Sequence, residues 1–218
     1  MAALTEANVG KVLDWAYEKS IMGIPGTDTA YDLAEDFLSK NLSVEEAMNS
    51  LVNTQVAKCA TSGFLTGLGG VITLPVAIPA NIASVLYVQM RMVAAIAHMR
   101  GYDLKDDQVK TFVYVCLTGQ TVGELVKGTG IKIGMKIGEA QIKRIPGEVV
   151  KQINKIVGFR LVTKFGQKGA VNLGKMVPLI GGVIGGSFDA VSTKMIGRAA
   201  RDTFKEVKID KGIIIDMK

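Results

Sequence analysis

Residues 59–90 read CATSGFLTGLGGVITLPVAIPANIASVLYVQM, a stretch without one charged side chain. It is long enough to span a bilayer, which takes about 20 apolar residues in a helix. Pro75 and Pro79 argue against a simple span, because each removes a backbone donor and disfavours a helical conformation just before it. The stretch therefore predicts a Gly-rich, close-packed helical hairpin at the centre of the fold. Two settings for it stay open here, the core of a bundle or a segment that inserts in lipid.

Three amphipathic helices are predicted before this stretch. Apolar residues recur there at helical spacing, and two of the three helices carry N-terminal capping signals. Thr27 or Asp28 is expected to cap the second helix. Ser43 is expected to cap the third, because Glu46 follows three residues later as in a capping box.

Further helices are predicted towards the C-terminus. One runs from about Pro79 to the residues before Gly101, and Asp103 is a candidate N-cap for the next. Another begins at Pro146, and a last one covers about 188–207. The fold class is therefore all-α, a compact multi-helix bundle. We expect one domain overall, with acidic N-terminal helices at 1–58, a helical core at 59–206 and a C-terminal tail at 207–218.

Charge is distributed unevenly along the chain. Its formal net charge of +6 combines an acidic first quarter with a strongly basic second half, and between Lys127 and Lys175 the only acidic residues are Glu139 and Glu148. A basic face of this kind implies an anionic partner. An anionic membrane surface or lipid is favoured over nucleic acid, since this region holds no nucleic-acid motif and few aromatic residues. A solvated face without a partner is the plainer alternative. The basic face is assigned to Lys132, Lys136, Lys143, Arg144, Lys151 and Lys155.

Cysteine and histidine usage argues against metal and disulfide chemistry. Cys59 and Cys116 are far apart without a Cys-x-x-Cys pairing, and His98 is the only histidine. We therefore expect no metal, no cofactor and a reducing compartment. The N-terminus lacks the basic start of a signal peptide. The expected location is the cytoplasm, with peripheral attachment to the inner face of the plasma membrane as a further option.

No catalytic residue is assigned. Residues 169–176 approach the phosphate-binding pattern Gly-x4-Gly-Lys-Ser/Thr, but Met176 replaces the hydroxyl residue that binds magnesium, and no strand precedes the motif. Five polar residues beside the apolar segments are candidates for binding a ligand or a lipid head group. In the plainer interpretation, Arg91 forms an ion pair with Asp103 or Asp189. The five candidates are Gln89, Arg91, Asp103, Lys175 and Asp189.

Two blocks of the chain resemble the EcsC family. The first is SGFLTGLGGVITLPVAIP at 62–79, followed by QMR at 89–91 and GYD at 101–103; the second is GQKGAVNLGKMVPLIGGVIGGSFD at 166–189. The resemblance covers about residues 45–206. The family takes its name from a gene beside the ATPase and membrane subunits of an ABC transporter. It implies a bacterial protein in the setting of membrane transport, and it implies no activity, cofactor or catalytic residue.

Three functions follow from these observations. The favoured one is a membrane-associated or lipid-binding helical module that uses the basic face within 127–175 and the apolar Gly/Pro segments. The first alternative is a soluble scaffold or regulator of a membrane transport complex. The second is an enzyme acting on a lipid or phosphorylated ligand, which requires Arg91, Asp103, Lys175 and Asp189 to converge on one cavity. The missing catalytic constellation disfavours the enzyme.

Overall fold

A computed structural model shows an all-helical chain, as the sequence predicts. It describes residues 6–60, 80–127, 129, 131, 142, 144–165 and 184–205. Within these residues there are eight helices and no strand. The helices are α1 (Glu6–Met22), α2 (Ala30–Ser39), α3 (Val44–Ala60), α4 (Ala80–Met99), α5 (Asp107–Cys116), α6 (Val122–Val126), α7 (Gly147–Phe165) and α8 (Ile184–Thr203). The Gly- and Pro-rich residues 61–79 and most of the second block, 166–183, lie outside the described part.

Helix α4 is the centre of the bundle. Every side chain from Ala83 to Ala97 is buried, and α1, α2, α3, α5 and α8 all pack against this helix. A helix that is apolar on all sides is stable only when neighbours cover it on all sides. Residues 80–90, the C-terminal part of the uncharged stretch 59–90, therefore belong to a core helix. Gly101, with φ +82°, ends it as predicted.

Helix starts follow local capping, with two differences from the prediction. Thr29, and not Thr27 or Asp28, caps α2, because Asp32 stands three residues later and completes a capping box with it. Ser43 caps α3 as expected: its Oγ accepts the Glu46 N–H at 3.2 Å.

The N-cap predicted at Asp103 is wrong. Asp106 occupies the N-cap position of α5, and Asp103 instead accepts the N–H of Lys105 in the turn before it. An Asp side chain readily closes such a turn onto a backbone N–H two residues on. Two candidate caps this close in sequence therefore compete, and the helix starts at the later one.

Helix α3 runs antiparallel to α4 and α8. At one end of the three helices, Glu45 at the start of α3 accepts hydrogen bonds from Arg100, just past α4, and from Arg201 in the last turn of α8. Nearer the other end, Gln89 of α4 hydrogen-bonds Thr193 of α8. The contacts fix the direction of all three helices.

Three chain positions consequently lie towards the same end of the bundle, which we name the junction end. They are Ala60, where α3 ends, Ala80, where α4 begins, and Ile184, where α8 begins. The chain therefore enters and leaves 61–79 at the junction end, and 166–183 leads into the same end.

Candidate functional site

Gln89 lies in a buried polar cluster between α3, α4 and α8. Its Nε2 donates to Thr193 Oγ1 at 3.0 Å, and Thr193 also hydrogen-bonds the Cys59 thiol. Gln55, one turn before Cys59, is completely buried, and neither end of its amide has a hydrogen-bond partner among the described residues. Gln89 Oε1 is likewise unpartnered within that part of the chain. Ser192 adds a further buried hydroxyl without a partner there, so the cluster holds more polar atoms than it pairs.

Sequence reasoning singled out Gln89 but not its neighbours Gln55, Cys59 and Thr193. They lie on three different helices, and no local pattern marks them as a group. Gln55 and Cys59 are four residues apart and so share one face of α3. Leu51 continues this face at the same spacing, and the face is the one sign in the sequence that Gln55 and Cys59 are buried together.

Asp189 lies half-buried in α8, close enough for its charge to act on Cys59. Burial raises the pKa of the Cys59 thiol, the hydrogen bond from Thr193 opposes that effect, and the Asp189 carboxylate adds to it. Burial also raises the pKa of Cys116 to about 12. Both thiols therefore stay protonated at neutral pH, which is unlike the lowered pKa of a cysteine nucleophile.

Arg91 is 3% exposed and forms no ion pair with Asp103 or Asp189. Its Nη1 donates to the backbone carbonyl of Asp28 at 2.8 Å, and its guanidinium lies 5.3 Å from the centre of the Tyr87 ring. The ion-pair expectation is therefore wrong, because the loop between α1 and α2 folds back over α4 and supplies a carbonyl in place of a carboxylate.

The candidate binding residues do not gather at one place. Gln89 and Arg91 are two positions apart on α4, about 200° around the helix axis, so they point to opposite sides of it. Asp103 is exposed and lies past the far end of α4, more than about 15 Å along the axis from Gln89. Asp189 is the candidate that lies near Gln89, since both are close to Thr193. Lys175 lies outside the described residues.

The basic face is described at three of its six positions. Arg144, Lys151 and Lys155 are all exposed, and Lys151 pairs with Glu148 at 3.2 Å. Lys151 and Lys155 share one face of α7 with Phe159, which is 61% exposed. Lys132, Lys136 and Lys143 lie outside the described residues.

A second exposed face, on α8, was missed by the sequence analysis. Val191 and Met195 are 59% and 56% exposed, and Lys194 and Arg198 flank them. We name these four residues the α8 outer face. Its signal in the sequence is a pair of large apolar residues four apart, interleaved with a basic pair at the same spacing. The opposite side of α8 carries the small residues that pack on α3 and α4.

The turn after α5 links the α8 outer face to α7. Gly119, with φ +80°, contacts Met195, whose Cε lies 3.6 Å from the place of a Cβ on that glycine. The next residue, Gln120, accepts a hydrogen bond from Arg160 of α7. The α8 outer face and the residue following Phe159 therefore border the same turn, and the two exposed regions are neighbours on the surface.

Neither a metal-binding group nor a membrane-spanning helix is present among the described residues. No group of three or more His, Cys, Asp or Glu side chains in the described ranges could hold a metal ion. None of the helices that the structure describes is both long and apolar enough to cross a membrane.

Comparison with known proteins gives one result. The family model described as the EcsC protein family matches residues 35–206, well over half of the chain, and starts about ten residues before the resemblance seen in the sequence. No curated protein and no solved structure matches. The match covers α3 to α8 and both Gly-rich blocks, so the chain belongs to the EcsC protein family.

Proposed function

We propose that this protein is a peripheral membrane-binding helical module that docks on an anionic lipid surface through the α8 outer face. The proposal rests on one observation. Val191 and Met195 expose large apolar side chains to solvent on the same side of α8 as the exposed Lys194 and Arg198. Apolar side chains flanked by basic ones are the arrangement that holds a helix at the interface of an anionic bilayer.

The energetics of this face suit reversible attachment. Each basic side chain close to an anionic surface contributes about 1 kcal/mol, and that contribution falls with rising salt. Burying an apolar side chain of this size contributes about 1.5–3 kcal/mol when it is complete and less for partial insertion. Two of each type give an affinity that is strong enough to localise a protein and weak enough to be reversed.

The position of the face supports the same proposal. Val191 lies seven residues from Ile184, about 10 Å along α8 from the junction end. The uncharged segment 61–79 begins and ends at that end of the bundle. The exposed Phe159 of α7 with Lys155 adds apolar and basic surface near the α8 outer face.

Binding to lipid is favoured over the two alternatives, an enzyme and a protein-binding scaffold. An enzyme built on Arg91, Asp103, Lys175 and Asp189 lacks support, because Arg91 and Asp103 lie apart. A scaffold that binds only protein would use the same surface, and its basic residues would then require an acidic partner. Under that alternative the protein is indifferent to vesicles, so one experiment separates the two.

The test is co-sedimentation with vesicles of phosphatidylcholine containing phosphatidylglycerol, and with phosphatidylcholine alone, at low and high salt. The native protein is expected to bind the anionic vesicles at low salt and to dissociate at high salt. Lys194→Gln with Arg198→Gln should weaken binding by up to roughly 30-fold, the equivalent of about 2 kcal/mol.

The matched control for this pair is Lys11→Gln with Lys40→Gln. It removes the same charge at two exposed positions of α1 and the end of α2. The control should bind like the native protein. Failure of the native protein to bind either vesicle at low salt rejects membrane docking, and equal losses in both variants reject the α8 outer face as the docking surface.

A further inference from the structure

The Arg91 guanidinium has more donors than partners. A guanidinium carries five N–H donors, and among the described residues Arg91 uses one of them, from Nη1 to the carbonyl of Asp28. Its Nε is buried and has no hydrogen-bond partner among the described residues. The bond to Asp28 is only partly buried, so the guanidinium lies just under the surface loop of residues 23–29.

No carboxylate neutralises this buried cation within the part of the chain that the structure describes. None lies within 4.0 Å of the guanidinium. Asp28 is exposed and contributes its backbone oxygen, and the exposed Asp32 carboxylate is held by Thr29 in the α2 capping box. Burying a cation without a counter-charge is strongly unfavourable. The ring of Tyr87, 5.3 Å away, offsets only part of that cost.

The start of α2 adds a second positive element at the same place. Arg91 binds the carbonyl of the residue directly before the N-cap Thr29, so the guanidinium lies against the N-terminus of a ten-residue helix. Backbone N–H groups at a helix N-terminus favour an anion. The loop is also held in place, since Thr27 Oγ1 and Tyr87 Oη are 2.7 Å apart in a hydrogen bond.

From these contacts we propose that Arg91, with the backbone N–H groups in the first turn of α2 that the capping box does not use, forms a binding site for one phosphate group, as a phosphate monoester or diester. Arg is the side chain that binds phosphate in bidentate fashion, and here its Nε is buried and unpartnered among the described residues, beside a second source of positive potential. Asp28 and Asp32 border the site, which disfavours ligands with more than one phosphate.

The site is distinct from the membrane-docking surface proposed above. Gln89 faces α8 through Thr193, and Arg91 points to the opposite side of α4, towards α2. The two surfaces therefore lie on different sides of α4. Two sources share the required chemistry, a soluble phosphate ester and a lipid head group, and the experiment separates them.

The first arm is isothermal titration of the full chain with inorganic phosphate and with glycerol 3-phosphate in a chloride buffer. Saturable binding to one site is expected. Arg91→Gln should weaken it by about tenfold or more, and Arg91→Lys should fall between the two, because a lysine keeps the charge but loses the forked donors. Lys11→Gln, at an exposed position of α1 outside both proposed sites, is the control and should bind phosphate as the native protein does.

A second measurement needs no substitution and remains decisive if Arg91→Gln fails to fold. The Nε–Hε resonances of arginine are followed by NMR while phosphate is titrated into the native protein. The Arg91 resonance, assigned with Arg91→Lys, should shift and saturate with the calorimetric affinity. No saturable binding of either probe, an unmoved Arg91 resonance, or equal affinity in Arg91→Gln overturns the proposal.

The third arm names the source. Vesicles of phosphatidylcholine with phosphatidic acid are compared for the native protein and Arg91→Gln. A loss of vesicle binding in the variant assigns the site to a lipid head group, and unchanged vesicle binding with lost phosphate binding assigns it to a soluble ester. If the native protein binds no vesicle, membrane docking fails while the phosphate titration still decides this site.

Discussion

At the scale of the residue, Gln55 and Arg91 are polar groups that the fold buries without fully satisfying. A buried donor or acceptor without a partner costs about 1–3 kcal/mol. Gln55 leaves both amide atoms in that state among the described residues, and Arg91 leaves Nε. Neither could be predicted from the sequence, because their surroundings are set by helices far away along the chain. The sequence did mark Arg91, since it is the first charge after the uncharged stretch, but not the carbonyl of Asp28 that it binds.

Gln55→Met is expected to raise the free energy of unfolding by about 1 kcal/mol, since it removes an unpaired amide and keeps the length of the side chain. Urea unfolding measures the change. Gln89→Met is the control, and it should lose about 1 kcal/mol, because Gln89 does hydrogen-bond Thr193. An equal loss in the two variants would show that the Gln55 amide is satisfied.

Glu45 gives stability its acid dependence at the end of the bundle opposite the junction end. Burial alone would raise the pKa of Glu45, but the hydrogen bonds and charges of Arg100 and Arg201 outweigh burial and hold it below its ordinary value. A carboxylate with a lowered pKa in the folded state adds stability above its unfolded-state pKa. That stability is lost as the pH falls through the folded-state pKa.

Glu45→Gln should therefore lower the free energy of unfolding at neutral pH, by less than about 1 kcal/mol because the carboxylate is largely exposed. The difference from the native protein should shrink as the pH is lowered below about 4. Urea unfolding across this range measures it. Glu148→Gln, which removes an exposed pair with Lys151, should show almost no difference at any pH. A pH-independent deficit in Glu45→Gln would contradict the assignment.

At the scale of the element, one side of α8 packs closely on its neighbours, and the other side exposes Val191 and Met195. A Cβ on Gly197 would lie 2.7 Å from both methyl groups of Val52, so α3 and α8 meet at backbone distance there. The sequence predicted close packing within the Gly-rich stretch 59–90, whose glycines lie outside the described residues, and Gly197 was not among them. Helix starts were predictable to within a few residues, because capping is local. The exposed side of α8 was not predicted, because the periodicity of apolar residues identifies only the buried side of a helix.

Gly197→Ala should lower the free energy of unfolding by about 1–3 kcal/mol, because the added methyl group overpacks against Val52. Gly10→Ala is the control in α1, where a Cβ meets nothing within 4 Å. It should raise stability by about 0.5–1 kcal/mol through helix propensity. Thermal or urea unfolding of both variants checks this, and a Gly197→Ala protein as stable as the native one would refute the close contact.

At the scale of the whole molecule, α4 organises the rest. The uncharged stretch predicted a central helix, and it is central because five other helices cover it. The bundle and its family could be predicted from the two signature blocks. That α3 ends towards the end of the bundle where α4 and α8 begin could not, since it depends on the antiparallel course of α3 against α4 and α8. Membrane docking through the α8 outer face is our proposal, and it rests on the exposed Val191 and Met195.

Brominated-lipid quenching of a single tryptophan tests it most directly. Trp15, the only native tryptophan, is changed to Phe, and Met195→Trp places the reporter on the α8 outer face. Leu42→Trp is the matched control, since Leu42 is 99% exposed beside the acidic start of α3. With anionic vesicles at low salt, the fluorescence of Trp at 195 should be quenched and that of Trp at 42 should not. No quenching at 195, or equal quenching at both positions, would contradict docking through α8.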